Sequence, residues 1–357
     1  MHKKAVGINT VGASYQIDHL APLCILMNIP LLFLDETDFI CAKKYYPKLK
    51  AERIDYEDFN PEFLISNYDV LFMSEMWNRH DFQKIYKPFE KEYQKKLRHV
   101  FCPHGFSDKG FYFKSCGDED IVLIYGQNMI DLLKHYNVLK DLNAYAIVGN
   151  YRYRYYKKNR AFYERVVSEE VWSYFKEQKS TILYAPTWRD QEESSTFFDV
   201  VTHLIEQLPE KYNLLVKLHP NIERDNPIEF YKILGTYENR GDVLFLKDFP
   251  PVFPLLSGCD MYIGDMSSIG YDFLAFDRPM FFLNKGNRDT QNDRNTYLFR
   301  CGTEVMPQQF PEIYNVIDKA LKEDKKRFSK VRKDVFKYTF ADVKSDRELR
   351  NQIASLY

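Results

Sequence analysis

The chain has 357 residues, 45% hydrophobic and 28% charged, so it can bury sizeable cores, is not disordered, and by length alone suggests two domains. Its formal net charge of −1 argues against a general nucleic-acid-binding protein, which would be basic. The six cysteines form no CxxC pair, which argues against zinc and thioredoxin-like sites and favours a reducing cytoplasm.

Short apolar runs alternate with helical patterns along the first part of the chain. The N-terminus, MHKKAVGINT, lacks the apolar segment of a secretory signal. The longest apolar stretch, residues 19–34, is interrupted by Asn28 and Pro30 and is too short to span a bilayer. The runs predicted as strands are 5–8, 30–34, 69–74, 99–102, 121–126 and 144–149, and a helix is predicted near 16–28.

A second series of apolar runs follows, at 181–186, 213–220, 242–246, 261–264 and 280–283. Continuous apolar strands separated by helices are typical of parallel sheets covered on both faces. The two series therefore predict an α/β protein with two doubly wound domains, 1–150 and 151–335. We expect helices after about residue 335, packing back on the first domain.

Because ligands of open α/β sheets bind beyond the carboxyl ends of the strands, the residues just after the strands are the candidates for function. His104 follows the run at 99–102, and Gly105 gives the backbone freedom there. An imidazole at this place could take a proton from a hydroxyl near neutral pH. The alternative is a turn histidine bonded to a carbonyl.

Polar and cationic residues also follow the strands of the second series. Thr187 and Arg189 come after the run at 181–186, where the guanidinium could bind a phosphate or form a surface salt bridge. Strand alternation places Lys217 and His219 on one face, which would suit an anionic leaving group or be a solvated strand end.

The segment GDMSSIGYDF, residues 264–273, predicts a strand end, a turn and the start of a helix. Ser267 and Ser268 could cap that helix, and its first N–H groups could bind a phosphate. Asp265 would orient the turn, and Asp272, one helical turn after Ser268, could accept a ribose hydroxyl. The alternative is an N-cap without a ligand.

The usual nucleotide and metal motifs are absent: GxGxxG, GxxxxGK[ST] and HExxH do not occur. Four segments together resemble the CDP-glycerol glycerophosphotransferase family, which comprises the teichoic-acid primases and polymerases. They are His104-Gly105, YAPTWRD (184–190), KLHP (217–220) and GDMSSIGYDF with DRPMFFLN (277–284), in the family's order and spacing.

This resemblance implies a glycosyltransferase-B-like fold, with two Rossmann-like domains facing across a cleft, the first for the acceptor and the second for the CDP-activated donor. His104 matches the family's general base, and His219 the histidine beside the donor phosphates. The matches to donor-binding residues are Arg189, Ser267, Ser268 and Asp272. We expect glycerol phosphate, or a related alditol phosphate, to pass to an acceptor hydroxyl with release of CMP.

The expected partners are the CDP-activated donor and a polyol-phosphate, glycan or lipid-linked acceptor in cell-surface polymer synthesis. We expect no cofactor and no obligatory metal, and a cytoplasmic protein that can sit at the inner face of the membrane. The basic stretch 151–160 could contact an anionic lipid surface, or be an irregular, solvated linker. Two alternatives stay open: a nucleotide-sugar glycosyltransferase or epimerase, and a non-catalytic nucleotide-binding protein.

Overall fold

The computed structural model describes residues 3–75, 79–342 and 345–357. The chain divides into two compact units. The first comprises the described residues up to Phe106, together with Gly110–Tyr155 and Tyr338–Tyr357. The second comprises Ser107–Lys109 and Tyr156–Lys337. Each unit contains one parallel sheet with helices, so the predicted α/β class with two parallel sheets is confirmed.

The sheet of the first unit has seven strands in the order β3-β2-β1-β4-β5-β6-β7, all paired in parallel. The strands are β1 (Ala5–Asn9), β2 (Leu31–Phe33), β3 (Ala51–Arg53), β4 (Val70–Met73), β5 (Arg98–Phe101), β6 (Ile121–Ile124) and β7 (Tyr145–Ile147). The central strands are buried on both faces, and residues such as Val6, Ile8 and Leu71 form the core. This is why they appear in the sequence as unbroken apolar runs.

The sheet of the second unit has the order β10-β9-β8-β11-β12-β13 and is also parallel throughout. Its strands are β8 (Ser180–Ala185), β9 (Tyr212–Lys217), β10 (Val243–Leu246), β11 (Met261–Gly264), β12 (Met280–Leu283) and β13 (Thr303–Val305). Ile182, Leu214 and Ile263 are fully buried in its core. The order of strands reverses between β8 and β11, and such a switch point is where doubly wound sheets bind ligands.

Helices connect the strands and cover the sheets. In the first unit they are α1 (Ile17–Met27), α2 (Glu36–Tyr45), α3 (Pro61–Asn67), α4 (Arg79–Glu92) and α5 (Gln127–His135). Next along the chain are α6 (Tyr151–Lys158), α7 (Arg160–Glu170), α8 (Phe197–Glu206), α9 (Ile222–Asp225), α10 (Pro227–Tyr237), α11 (Val252–Gly258) and α12 (Ser268–Phe273). The last are α13 (Ile313–Leu321), α14 (Asp324–Thr339) and α15 (Asp346–Ala354).

The basic stretch 151–160 is not an irregular linker, so that expectation is wrong. Residues 151–158 form α6, and Tyr151, Arg152 and Tyr156 are buried. Tyrosine and arginine have long apolar portions, so a stretch that appears polar in the sequence can still pack inside. The sequence places the domain boundary after residue 150, and the division in the structure falls within α6, after Tyr155.

No helix among the described residues combines the length and the apolar character needed to cross a bilayer. Residues after Tyr338 belong to the first unit, where Asn128 Nδ2 donates to Thr339 Oγ1 at 2.9 Å. The six cysteines, all within the described residues, form no disulfide bond with one another, and five of them are buried.

Candidate functional site

The candidate residues of the second unit lie at the carboxyl edge of its sheet, on the loops that follow β8, β9 and β11. Asp265, directly after β11, connects two of these loops and is fully buried. Its carboxylate accepts the Thr187 N–H at 2.8 Å, and the N–H and Oγ1–H of Thr196 at 3.1 and 2.9 Å. Asp265 therefore holds the loop that follows β8 to the end of β11, at the switch point of the sheet.

The environment of Asp265 sets its charge. Burial raises the pKa of its carboxyl to about 6, although the nearby Lys109 ammonium and the bonds from Thr187 and Thr196 act in the opposite direction. A carboxyl group with this pKa changes its protonation state in the mildly acidic range.

Lys109 lies in the same network, and the sequence analysis did not identify it. Its buried ammonium donates to Thr187 Oγ1 at 2.6 Å and to Asp190 Oδ2 at 2.5 Å. The hydroxyl of Thr187, predicted to bind substrate, is therefore already held by this lysine. The sequence shows a polar loop after His104, residues 107–110, which could line a site. Nothing in that loop indicates which strand end Lys109 contacts.

Asp108, the neighbour of Lys109, lies in the same polar loop, which the sequence indicates as a possible lining of a site without assigning Asp108 a role. Its buried carboxylate accepts the Tyr271 hydroxyl at 2.7 Å, the Arg294 guanidinium at 2.8 Å and the Leu298 N–H at 2.9 Å. Burial raises the pKa of Asp108, and Arg294 opposes this increase. Because Tyr271 is part of α12, Asp108 holds the helix that carries the candidate serine and aspartate residues.

Ser267 occupies the N-cap position of α12 with an extended backbone, φ −84° and ψ 140°. Its side chain makes no capping hydrogen bond, so the hydroxyl does not have the capping role predicted for it. Ser268 is the first helical residue and is partly exposed. Asp272 is buried, with 6% of its surface exposed, which leaves little of it for direct contact with a ribose in this conformation.

The predicted cations differ in their accessibility. Arg189 has an exposed side chain, and its backbone N–H donates to Asp225 Oδ2 at 2.7 Å. It lines a cavity of about 220 Å³ together with Phe198, Asn226 and Lys285. Lys217, by contrast, donates its ammonium to the Lys247 carbonyl at 3.0 Å, so this cation already binds the main chain next to β10.

His219 lies beyond the end of β9, so the strand alternation used to place it beside Lys217 does not extend to it. Its Nδ1 accepts the Asn221 N–H at 3.1 Å, and its ring stacks on Trp188 with centroids 6.1 Å apart. A nitrogen that accepts a hydrogen bond carries a lone pair, so in the neutral ring the proton is on Nε2. His219 is thereby prepared to donate from Nε2.

His104 belongs to the first unit and follows β5, where it is partly exposed. Its Nδ1 lies 2.9 Å from the Tyr112 hydroxyl and 3.4 Å from the Ser74 carbonyl oxygen. A carbonyl only accepts, so the Ser74 contact favours a proton on Nδ1 and leaves the lone pair on Nε2. Burial, with a smaller contribution from Arg152, lowers the pKa of His104 to about 4. The neutral ring can therefore accept a proton at Nε2.

The turn that carries His104 is held by a tyrosine. The Tyr125 hydroxyl donates to the Pro103 carbonyl at 2.7 Å and accepts the Gly105 N–H at 3.2 Å. Gly105 has a φ of +109°, which side chains other than glycine rarely adopt. The predicted reason for a glycine at this position, backbone freedom, is thus visible in the structure.

Comparison with known proteins shows the family to which the chain belongs. The sequence model of the family described as CDP-glycerol:poly(glycerophosphate) glycerophosphotransferase matches residues 148–355, more than half of the chain. The chain belongs to this family. The match includes every candidate residue of the second unit, from Thr187 to Asp272.

Individual relatives match over shorter stretches. The teichoic acid glycerol-phosphate primase of Bacillus subtilis (strain 168) is 28% identical over 166 residues, which is 46% of this chain and 39% of the primase. The chain thus spans well under half the length of the curated relatives it matches first.

Solved structures show the fold of the glycerophosphotransferase family in this chain. The wall teichoic acid polymerase TagF is 15% identical, with a TM-score of 0.63, and the similarity covers 99% of this chain and 87% of that one. Anabaena HepE in complex with UDP-glucose is 11% identical, with a TM-score of 0.55 and 99% of both chains covered. At these identities the similarity is one of fold, and it is glycosyltransferase-B-like, as predicted.

Proposed function

We propose that this chain transfers glycerol phosphate, or a related alditol phosphate, from a CDP-activated donor to an acceptor hydroxyl in cell-surface polymer synthesis, releasing CMP. One observation carries the proposal. In a member of the glycerophosphotransferase family, the family's polar residues lie at the carboxyl edge of a doubly wound sheet, beside its switch point.

The proposed reaction is an in-line displacement. The acceptor hydroxyl loses its proton to Nε2 of His104, and its oxygen forms a new bond to the β-phosphorus of the donor. The bond between that phosphorus and the bridging oxygen breaks, and CMP leaves with the electron pair. Phosphoryl transfer of this kind depends mainly on positioning and on stabilisation of the phosphate charge.

The second unit would hold the donor. His219 would donate from Nε2 to a phosphate oxygen, and Arg189 has an exposed guanidinium that can do the same. We assign Ser267 and Ser268 to the phosphates as well. The Ser267 hydroxyl is not used to cap α12, and Ser268 is partly exposed to solvent. Thr187, Lys217 and Asp265 act indirectly in this proposal, since each already binds protein groups.

The test is phosphorus NMR of the protein with CDP-glycerol and a polyol-phosphate acceptor, and separately with UDP-glucose. Formation of CMP together with a new phosphodiester signal is the expected result. Release of UDP with CDP-glycerol unchanged would instead identify a nucleotide-sugar glycosyltransferase. Binding of CDP-glycerol without any turnover would favour the non-catalytic alternative.

We further propose that no metal ion or cofactor is obligatory. Within the described residues, no three histidine, cysteine, aspartate or glutamate side chains converge as a metal site, and the candidate groups that face phosphate are cationic or neutral donors. Turnover should persist in a chelator. Complete loss of turnover in a chelator, with recovery on addition of Mg²⁺, would overturn this proposal.

We place the activity in the cytoplasm, at the inner face of the membrane, because the proposed donor is a nucleotide and the six cysteines form no disulfide bond in the described part of the chain. Cell fractionation with and without a high-salt wash checks this. Salt-released protein in the membrane fraction is the expected result, and a secreted protein would contradict it.

A further inference from the structure

Three polar side chains from two helices meet inside the first unit. Asp18 and His19 are in α1 and Arg152 is in α6, and all three are buried. The Arg152 Nη1 lies 3.0 Å from Nε2 and 3.2 Å from Nδ1 of His19, and 3.6 Å from Asp18 Oδ2. Asp18 also accepts the Tyr46 hydroxyl at 2.6 Å. The mechanism proposed above uses none of these residues.

The chemistry of the contacts fixes the charges in this cluster. A guanidinium has only donors, so one of the two ring nitrogens that Arg152 contacts must accept its hydrogen bond through a lone pair, and His19 is therefore neutral. Burial first, then the charge of Arg152, lowers the pKa of His19 well below its ordinary value. Asp18 supplies the opposite charge that a buried guanidinium needs. The cluster therefore consists of one ion pair beside an uncharged imidazole.

The cluster lies next to His104. The rings of His19 and His104 meet edge to face with centroids 6.4 Å apart. The other groups that face His104 are the rings of Tyr15 and Tyr112, at 5.4 and 5.0 Å, and the Ser74 carbonyl. Glu75, the neighbour of Ser74, accepts the Gln16 amide at 2.7 Å. The positive charge of Arg152, on the far side of the His19 contact, opposes a second positive charge on His104.

We propose that Arg152, held by Asp18 and by His19, is a positioning residue whose charge opposes protonation of the His104 ring. The proposal deepens the proposed function and rests on it for the role of His104. The charge effect itself can be measured on the free protein, without substrate.

The experiment is nitrogen-15 NMR titration of the histidine rings, with the His104 signal assigned through His104→Gln. In Arg152→Met, removal of the positive charge should raise the pKa of His104 by roughly half a unit to one unit, because burial still acts. Arg152→Lys should retain the wild-type titration because it retains the charge. Asp18→Asn should shift the midpoint in the opposite direction, because it removes the charge that offsets Arg152.

Arg154→Met is the matched control. Arg154 is in the same helix of the same unit and pairs with Asp346. Its replacement disturbs the packing of α6 but leaves the Arg152 charge beside the histidine rings unchanged. A purely structural cluster would give lower melting temperatures in these variants and no shift of the His104 titration in Arg152→Met, which would overturn the proposal. If His104→Gln retained full turnover, the role of His104 as proton acceptor would fail, and if the wild type released no CMP, the proposed function would fail; in both cases the titration would still report on the cluster.

Discussion

The two candidate histidines, one in each unit, have contacts that favour protons on different ring nitrogens. The Ser74 carbonyl favours a proton on Nδ1 of His104, and the Asn221 N–H requires a lone pair on Nδ1 of His219. The outer nitrogen is consequently an acceptor in His104 and a donor in His219. A proton acceptor for the attacking hydroxyl and a donor to the leaving phosphate are the two roles that the proposed transfer needs.

Removing the proton acceptor should slow turnover without loss of folding. In His104→Ala, CMP release should fall by about 10²- to 10⁴-fold, which is the usual contribution of a general base. His135→Ala is the control, because His135 is exposed on α5. A His104→Ala variant with near-normal turnover would contradict the assignment.

The unusual pKa of Asp265 predicts a pH dependence of stability. Its pKa is 3.8 ordinarily and about 6 in the folded chain, so between these pH values the folded chain binds a proton that the unfolded chain has released. Stability from this residue therefore falls as the pH rises through that window, by at most about 1.4 kcal/mol per unit.

Asp265→Asn removes this titration. We would measure the unfolding free energies of wild type and Asp265→Asn by denaturant titration at several pH values. The value for wild type minus the value for Asp265→Asn should fall as the pH rises from about 4 to about 6. A difference that is constant over this range would show that Asp265 has an ordinary pKa.

At the scale of elements, the turn after β11 depends on a glycine. An added Cβ at Gly264 would lie 2.1 Å from the Tyr262 hydroxyl, so the strand or the buried ring must shift. Gly264→Ala should cost about 1–3 kcal/mol of stability and weaken binding of CDP-glycerol, because the shift moves Asp265 and Ser267. Gly235→Ala is the control, because an added Cβ there meets nothing within 4 Å. Thermal melts and calorimetry with CDP-glycerol would separate the two effects, and unchanged binding in Gly264→Ala would argue against the placement of the donor.

A buried arginine of α14 pairs with an aspartate of the same helix and with Asp277 outside it. Arg332, 1% exposed, donates to Asp324 at 2.8 and 3.1 Å and to Asp277 at 2.9 Å. Arg332→Met would leave the Asp324 carboxylate buried without its cation and should lower the free energy of unfolding by about 3–5 kcal/mol. Lys330→Met, which removes an exposed pair with Asp334 on the same helix, should have little effect on the denaturation midpoint. Equal losses in the two variants would contradict the role of the buried pair.

The elements that could be predicted from the sequence are those whose own residues form a clear apolar or helical pattern. Strand β8 is an unbroken apolar run with buried residues on both faces, and the pattern alone indicates it. Strands β3 and β13 were missed because neither is an apolar run: Glu52 and Arg53 of β3 are exposed, and β13 begins with Thr303 and Glu304. Edge strands need not be apolar, so their pattern resembles that of a loop.

The same distinction applies to the candidate site. Ser267 and His104 follow strong strands, so their positions at strand ends could be predicted from order alone. Lys109 could not be assigned to Thr187, nor Arg152 to His19, because these contacts join residues 78 and 133 positions apart. Contacts of this kind depend on how elements pack, and a single sequence without strong local motifs does not specify them.

At the scale of the whole molecule, ligand binding should report on which nucleotide the chain recognises. A ligand that binds only the folded chain stabilises it by about 2.7 kcal/mol at a concentration 100 times its dissociation constant. CDP-glycerol should therefore raise the melting temperature clearly, CMP should raise it less because it lacks the second phosphate, and UDP-glucose should have little effect. The measurement is a thermal melt across a concentration series of each nucleotide.

Two variants connect this melt to the proposed chemistry. Ser267→Ala should reduce the shift caused by CDP-glycerol, because it removes a proposed phosphate contact, whereas His104→Ala should leave the shift intact, because that residue is proposed to act on the acceptor. A protein that is stabilised by CDP-glycerol and does not turn over would be a binding protein of this fold. A larger increase in melting temperature with UDP-glucose than with CDP-glycerol would place the chain among the nucleotide-sugar transferases. Specificity is a difference between two affinities, so a binding site that prefers one donor must bind the other more weakly.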